Sequence, residues 1–152
     1  MRILTNEAYE KTQDELDRQK RDARDARALI ESADKKRARF GAFYGTNDWK
    51  KLRTIARRRD NDIDVWVYIK YGAIEHTGAA VHHIIPIADD WDKRLLLDNL
   101  VTVSSTSHAE IERLYSMGGE YKQVCQRLLR EAVRDLNYLA EHDDIEDIDN
   151  DL

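Results

Sequence analysis

The chain has 152 residues, 36% of them charged, and a formal net charge of −5 at pH 7. This length suits one modest domain, and no run of residues is apolar enough to span a membrane or to act as a signal peptide. The single cysteine, Cys125, cannot form an internal disulfide, which is typical of a reducing compartment. We therefore expect a soluble cytoplasmic protein.

The charge is distributed unevenly along the chain. Residues 131–152 contain nine acidic side chains and one basic one, so residues 1–130 carry a net charge of +3. The negative total therefore does not argue against a nucleic-acid partner, because the acids are concentrated at one end.

The first predicted element is a long, very polar helix over residues 7–39, which contain neither glycine nor proline. Apolar positions recur every seven residues at Tyr9, Leu16, Ala23 and Ile30. A stripe this narrow suits a weak coiled coil or an arm laid across another surface, and a solvated helix is the alternative. The glycine-containing segment 40–45 is expected to end the helix, so that residues 1–42 form a charged helical arm.

A second helix is predicted over residues 48–59, with Thr46 or Asn47 as its N-cap. Its inward face is expected to consist of Trp49, Leu52, Ile55 and Ala56. Its basic side chains are candidate DNA-binding residues, because clustered cations on one helix can contact phosphates; they are Lys50, Lys51, Arg53, Arg57 and Arg58. Solvated helix charges are the alternative.

A strand is predicted over residues 63–71, because the run is rich in β-branched and aromatic residues, and Gly72 is expected to end it. Two short strands follow, at residues 81–85 and 100–103. From Ser107 the apolar residues recur at helical spacing, so His108 lies in the first turn of a helix.

This hairpin and helix can bring His82, His83 and His108 together. Neutral imidazoles in that arrangement can bind a divalent cation, and one that does not bind it can deprotonate a water at neutral pH.

The order His82-His83, Asn99, His108 resembles the HNH endonucleases, and the resemblance is close to the small phage-encoded HNH proteins. The wider resemblance rests on Phe43-Tyr44, Trp49, Lys51-Leu52-Arg53, Arg59-Asp60, residues 81–86, residues 98–100 and His108. It implies an α+β fold in which residues 43–117 form a ββα-metal core, with a long helix before it and an amphipathic helix after it.

The resemblance also implies roles for individual residues. His82 and His108 correspond to metal ligands, and Glu112 is a weaker third candidate. His83 corresponds to the general base, and Asn99 to the residue that holds the loop bearing the base. The implied cofactor is one divalent ion; two imidazole ligands favour Mn, Ni, Co or Zn, with Mg as a further candidate.

The chain departs from many phage relatives in one respect, because it lacks the two Cys-x-x-Cys pairs that hold a structural zinc. Residues 64–67 and 104–107 stand where those pairs would fall, and neither segment contains cysteine. We therefore expect no structural zinc. Apolar packing by Val65, Trp66 and Val67 is expected to replace it, and Ser104 or Ser105 to cap the following helix.

The last predicted helix covers residues 118–141 and has a broad apolar face that should pack on the core or on a second copy. The face consists of Tyr121, Val124, Cys125, Leu128, Leu129, Ala132, Val133, Leu136 and Leu139. Residues 142–152 are acidic and are expected to be disordered.

The sequence thus predicts a metal-dependent HNH endonuclease that nicks or cuts DNA. The resemblance suggests phage origin, host-cell cytoplasm and a link to genome packaging beside terminase subunits, and the terminal helices leave room for a homodimer. Two alternatives are a weakly active or inactive DNA-binding or packaging accessory protein, and a colicin-type toxin nuclease.

Overall fold

The structure, a computed structural model, describes the backbone of residues 6–149 and the side chains of residues 10–141. It divides into two units, Met1–Tyr44 and Gly45–Leu152. The described part of the first unit is one helix, α1 (Asn6–Tyr44). Contrary to expectation, α1 continues through Gly41, because one glycine inside a helix costs only about 1 kcal/mol.

The second unit contains a two-stranded hairpin between helices. In chain order its elements are α2 (Asn47–Arg59), α3 (Val65–Tyr71), β1 (Ala80–His83), 3₁₀ turns at Trp91–Leu95 and Leu97–Asn99, β2 (Leu100–Val103), α4 (Ser105–Met117) and α5 (Gly119–Asp149). The strands are antiparallel, with Ala80 opposite Val103 and His83 opposite Leu100. The α+β class and the hairpin-then-helix order agree with the sequence prediction.

Helix α2 begins after Thr46, whose hydroxyl accepts a hydrogen bond from the Trp49 amide. Trp49 and Ala56 are buried, whereas Ile55 is 48% exposed. The prediction that Ile55 faces inward was wrong, because the buried side of this short helix is centred on the line from Trp49 to Ala56 and Ile55 lies at its edge.

A buried ion pair joins the end of α2 to the second strand. Asp60 is 3% exposed and accepts two hydrogen bonds from the Arg59 guanidinium. Its Oδ2 also accepts the amide of Thr102, and Arg59 donates to the carbonyl oxygens of Leu97 and Leu100. These bonds hold α2, the helix that carries the basic residues, against β2.

The predicted strand over residues 63–71 is wrong, because most of this segment forms α3. The Oδ1 atom of Asp64 accepts the amides of Trp66 and Val67 and so caps the helix. Val65 and Trp66 are buried in the core. The β propensity of the run is a weak preference, and the cap together with burial of one helical face outweighs it.

Helix α5 packs on the core of the second unit. The middle of its apolar face is buried with α3, α4 and the strands, and includes Cys125, Leu129 and Leu136. The ends of the predicted face, Tyr121 and Leu139, are exposed. The backbone of α5 continues to Asp149, beyond the predicted end of the helix at residue 141. The side chains of residues 142–152 lie outside the described part, and the disorder predicted for this segment stays a prediction. In the described part of the chain, no helix has both the length and the apolar character of a membrane span.

Candidate metal centre and active site

Strand β1 ends with the two adjacent histidines, and both are buried. Successive side chains of a strand point to opposite faces of the sheet, so neighbouring histidines cannot serve the same face. His82 meets α4 through His108, at a ring-centroid distance of 5.2 Å, and His83 meets α2 through Trp49, at 4.9 Å. The strand therefore presents one imidazole on each side.

A candidate metal site lies between β1 and α4. His82, His108 and Glu112 each offer one ligand atom, and these atoms all lie within 4.8 Å of one another. The Glu112 Oε1 atom is 3.4 Å from His82 Nδ1 and 3.8 Å from His108 Nε2. Glu112 is one helical turn after His108, so α4 presents both side chains to the strand. The weak third candidate of the sequence analysis is thus part of the cluster.

The protonation states of these groups suit a divalent cation. Burial, and then the neighbouring His82, lower the pKa of His108 below its ordinary value. The hydrogen bond with His82 lowers the pKa of Glu112. A neutral imidazole and an ionised carboxylate are the forms that bind metal. The residues therefore fit one divalent ion.

His83 is held by its ring nitrogen and by its ring face. Its Nε2 lies 3.0 Å from the carbonyl oxygen of Arg94, and since a carbonyl only accepts, Nε2 carries the hydrogen. In the neutral ring Nδ1 then carries the lone pair. Trp49 stacks on the ring at an interplanar angle of 21°, and burial lowers the pKa of His83. His83 is thus oriented and neutral at pH 7, as a general base must be.

Asn99 closes the loop between the strands. Its Oδ1 accepts the amide of Ile85 at 2.8 Å, and its Nδ2 donates to the carbonyl oxygens of Ile85 and Lys93 at 3.0 and 3.2 Å. Its backbone carbonyl accepts the amide of Ile84 at 2.8 Å. One amide side chain therefore joins both ends of the loop that carries Arg94, the partner of His83.

Two contacts of the site were not foreseen as such from the sequence. Tyr115 donates from its hydroxyl to the carbonyl oxygen of Ile84, and its ring lies edge-on to His82 at 5.0 Å. The sequence predicts that Tyr115 lies one helical turn after Ile111, but it gives no sign that Tyr115 contacts Ile84 and His82. The contact of His83 with the Arg94 carbonyl leaves no sequence signal at all, because every residue has a carbonyl.

The basic residues of α2 form a shallow depression on the surface of the second unit. Four of the five predicted DNA-binding residues line it together with Thr54 and Asp62: Lys50, Arg53, Arg57 and Arg58. Arg53 donates to the carbonyl oxygen of Ala79, and Arg57 Nε lies 2.8 Å from Asp62 Oδ1. Lys51 is exposed on α2 but is not among the lining residues.

No protein-family model and no curated protein matches the sequence. The structure is similar to a solved structure, the HNH endonuclease of the deep-sea thermophilic bacteriophage GVE2 with manganese ion, with a TM-score of 0.51 and 26% sequence identity. The similarity covers 59% of this chain and 97% of the phage chain. The chain therefore has the HNH fold that its sequence predicts.

Proposed function

We propose that this chain, whose second unit has the HNH fold, is a metal-dependent endonuclease that hydrolyses phosphodiester bonds in DNA. The observation that carries the proposal is the pairing of a three-donor cluster on one side of β1 with an oriented, neutral imidazole on the other. Hydrolysis by in-line attack needs the water and the leaving oxygen on opposite sides of the phosphorus. The proposal places the ion near the leaving oxygen and His83 near the water, and adjacent residues of β1 supply the two groups.

In the proposed mechanism His82, His108 and Glu112 would hold the divalent ion. When bound, the ion would supply positive charge that stabilises the phosphate during hydrolysis. His83 takes the proton of the attacking water at Nδ1, while its Nε2 hydrogen stays bonded to Arg94. Asn99 keeps that carbonyl in place by holding both ends of the loop.

The test is cleavage of supercoiled plasmid with added Mn²⁺ or Mg²⁺. Because His83→Ala removes the proton acceptor and leaves the metal donors, we expect cleavage to fall at least about a hundredfold while DNA binding persists. His76→Ala is the matched control, since His76 is exposed and its ring contacts the Asn61 carbonyl instead. Cleavage by wild type in EDTA, or by His83→Ala at the wild-type rate, contradicts the mechanism.

The plasmid assay also distinguishes an endonuclease from the main alternative, an inactive accessory protein. An inactive accessory protein on the same fold would shift the plasmid on a gel but leave it supercoiled under every metal condition. The ratio of nicked to linear product decides between single-strand and double-strand cleavage. A role in genome packaging is a further part of the proposal, supported by the phage origin of the similar structure; it predicts direct binding to a terminase subunit.

We further propose that the depression on α2 contacts the DNA backbone. Several cations on one exposed helix face give affinity without base recognition, and each phosphate contact steepens the dependence of binding on salt. Lys50→Ala or Arg58→Ala should weaken binding and reduce the salt slope by about one unit each. Lys51→Ala is the matched control from the same helix. Equal effects of Lys50→Ala and Lys51→Ala would contradict a contact centred on the depression.

A further inference from the structure

Helix α1 exposes apolar side chains that a helix of this length normally covers. Every residue from 10 to 39 is exposed. Leu16, Leu29 and Ile30 are 42%, 73% and 63% exposed. Most helices in proteins are stabilised by packing an apolar face, so residues 10–39 of α1 lack the contact that usually maintains such a helix.

The apolar positions of α1 form a seam with a seven-residue period. With Leu16, Ala23 and Ile30 at the first core position of each heptad, the second core position holds Gln19, Ala26 and Ala33. This period is that of a left-handed coiled coil. Helix α5 does not offer a comparable unburied seam, because the middle of its apolar face is already in the core.

The charged residues beside the seam are complementary when two copies of α1 pair in parallel. In a parallel pair of identical helices, the residue just before each heptad faces the residue five positions later on the other helix. Glu15 then faces Lys20 of the partner subunit, and Asp22 faces Arg27 of the partner subunit. Both contacts are attractive and each occurs twice by symmetry. Within one helix Glu15 already bonds Arg18 and Gln19, but exposed pairs of this kind contribute little and can be shared.

The antiparallel arrangement is less favourable. With the core positions in register, it places Lys20 of one helix beside Arg27 of the other, which repel each other. It keeps one attractive pair, Glu15 with Lys36. The apolar Leu29 faces an acidic residue in both arrangements, Asp22 here and Asp34 in the parallel pair. The flanking charges therefore favour the parallel orientation.

We propose that α1 pairs with α1 of a second copy of this chain as a parallel two-stranded coiled coil. Its core is small, since alanine fills three of the six core positions between residues 16 and 33. Association is accordingly weak, in the micromolar range, and sensitive to salt. This proposal does not depend on nuclease activity.

The test is sedimentation equilibrium of the full-length protein over a range of micromolar concentrations. Wild type should reach twice the mass of one chain. Glu15→Lys combined with Asp22→Lys faces Lys20 and Arg27 with like charge and should remain a monomer. Lys20→Glu combined with Arg27→Glu should also remain a monomer, and mixing the two variants should restore association. Asp14→Lys combined with Asp17→Lys is the matched control, because it changes the same charge on the outer face and should still dimerise.

A cysteine placed in the seam tests the orientation. Ala33→Cys should form a disulfide between chains under mild oxidation, because equivalent core positions adjoin only in the parallel pair. In the antiparallel pair position 33 faces position 16, and the two cysteines are far apart. A monomeric wild type, no association in the charge-swap mixture, or a dimer without the Ala33→Cys cross-link would each overturn the proposal.

Discussion

At the scale of single residues, the site depends on groups held by backbone contacts that come from distant parts of the chain. His83 is fixed by the Arg94 carbonyl and by the Trp49 ring, one from the loop and one from α2. Asn99 in turn holds that loop through Ile85 and Lys93. The orientation of the proposed base, His83, therefore depends on Asn99 through the loop that carries Arg94.

The first prediction concerns this positioning residue. Asn99→Asp keeps the side-chain shape but replaces the donating amide with an oxygen, which faces the carbonyls of Ile85 and Lys93. Because a buried carbonyl without its donor costs about 1 to 3 kcal/mol, the free energy of unfolding should fall by that amount. The turnover rate should fall as well, while the metal affinity stays near that of wild type. Unchanged turnover in Asn99→Asp would show that the loop does not need this side chain.

The second prediction concerns the metal ligands. Glu112→Gln removes the anionic donor beside His82 and His108, so the affinity for Mn²⁺ should fall at least about tenfold. Even substitution of a residue that only hydrogen-bonds to a metal ligand usually lowers metal affinity by that factor. Excess Mn²⁺ should restore part of the activity. The measurement is isothermal titration with Mn²⁺, and Glu110→Gln is the matched control, because Glu110 lies on the same helix and pairs with Lys70 instead. Equal affinities for the two variants would remove Glu112 from the site.

At the scale of elements, a buried hydrogen bond joins residues 64–67 to residues 104–107, the two segments where the family resemblance would place cysteine pairs. Asp64 is fully buried, and its Oδ2 accepts the Ser107 hydroxyl at 2.7 Å, while its Oδ1 caps α3. Ser104 caps α4 by accepting the amide of Ser107. One carboxylate thus connects the first turn of α3 to the first turn of α4, a connection that the apolar packing predicted from the sequence did not include.

The third prediction follows from this connection. Asp64→Ala removes the cap of α3 and leaves the buried Ser107 hydroxyl without an acceptor, so the free energy of unfolding should fall by about 2 to 4 kcal/mol. Urea denaturation measures the change. Asp48→Ala, an exposed acid in the first turn of α2, should change it by no more than about 0.5 kcal/mol. If both variants are equally stable, the Asp64–Ser107 bond does not join the helices.

At the scale of the whole molecule, the second unit has a core formed by α3, β2, α4 and α5. Buried residues of these elements pack together, among them Val65, Val101, Ile111 and Leu129. The metal candidates lie at the edge of this core, since His82 is buried but Glu112 is 56% exposed on its side chain. Folding should therefore not require the ion.

The fourth prediction tests that independence. Prolonged treatment with EDTA should abolish activity but leave one cooperative thermal transition by circular dichroism. The midpoint should fall only by the small amount expected from emptying a single weak site. Elemental analysis should find no zinc that survives His82→Ala combined with His108→Ala. Loss of the folded signal in EDTA, or zinc retained by that double variant, would indicate a structural metal site.

The sequence by itself determined the elements with strong local signals and the order of the site residues. The helical period of α4 and α5 is local and could be predicted. The caps could be narrowed to Thr46 or Asn47 and to Ser104 or Ser105, and the structure has Thr46 and Ser104. The histidine pair, Asn99 and His108 could be recognised because their order along the chain resembles that of the HNH endonucleases. The roles proposed for them rest on that order and on the geometry together.

Only the tertiary structure decided the remainder. The run at residues 63–71 has the composition of a strand, but the buried Asp64 cap and the packing of Trp66 make it a helix. The inclusion of Glu112 in the metal cluster and the fixing of His83 by a carbonyl depend on contacts between residues far apart in sequence. Such contacts form only when the hairpin folds against α2 and α4, because hydrogen bonding and burial act on distances in space and leave no local pattern.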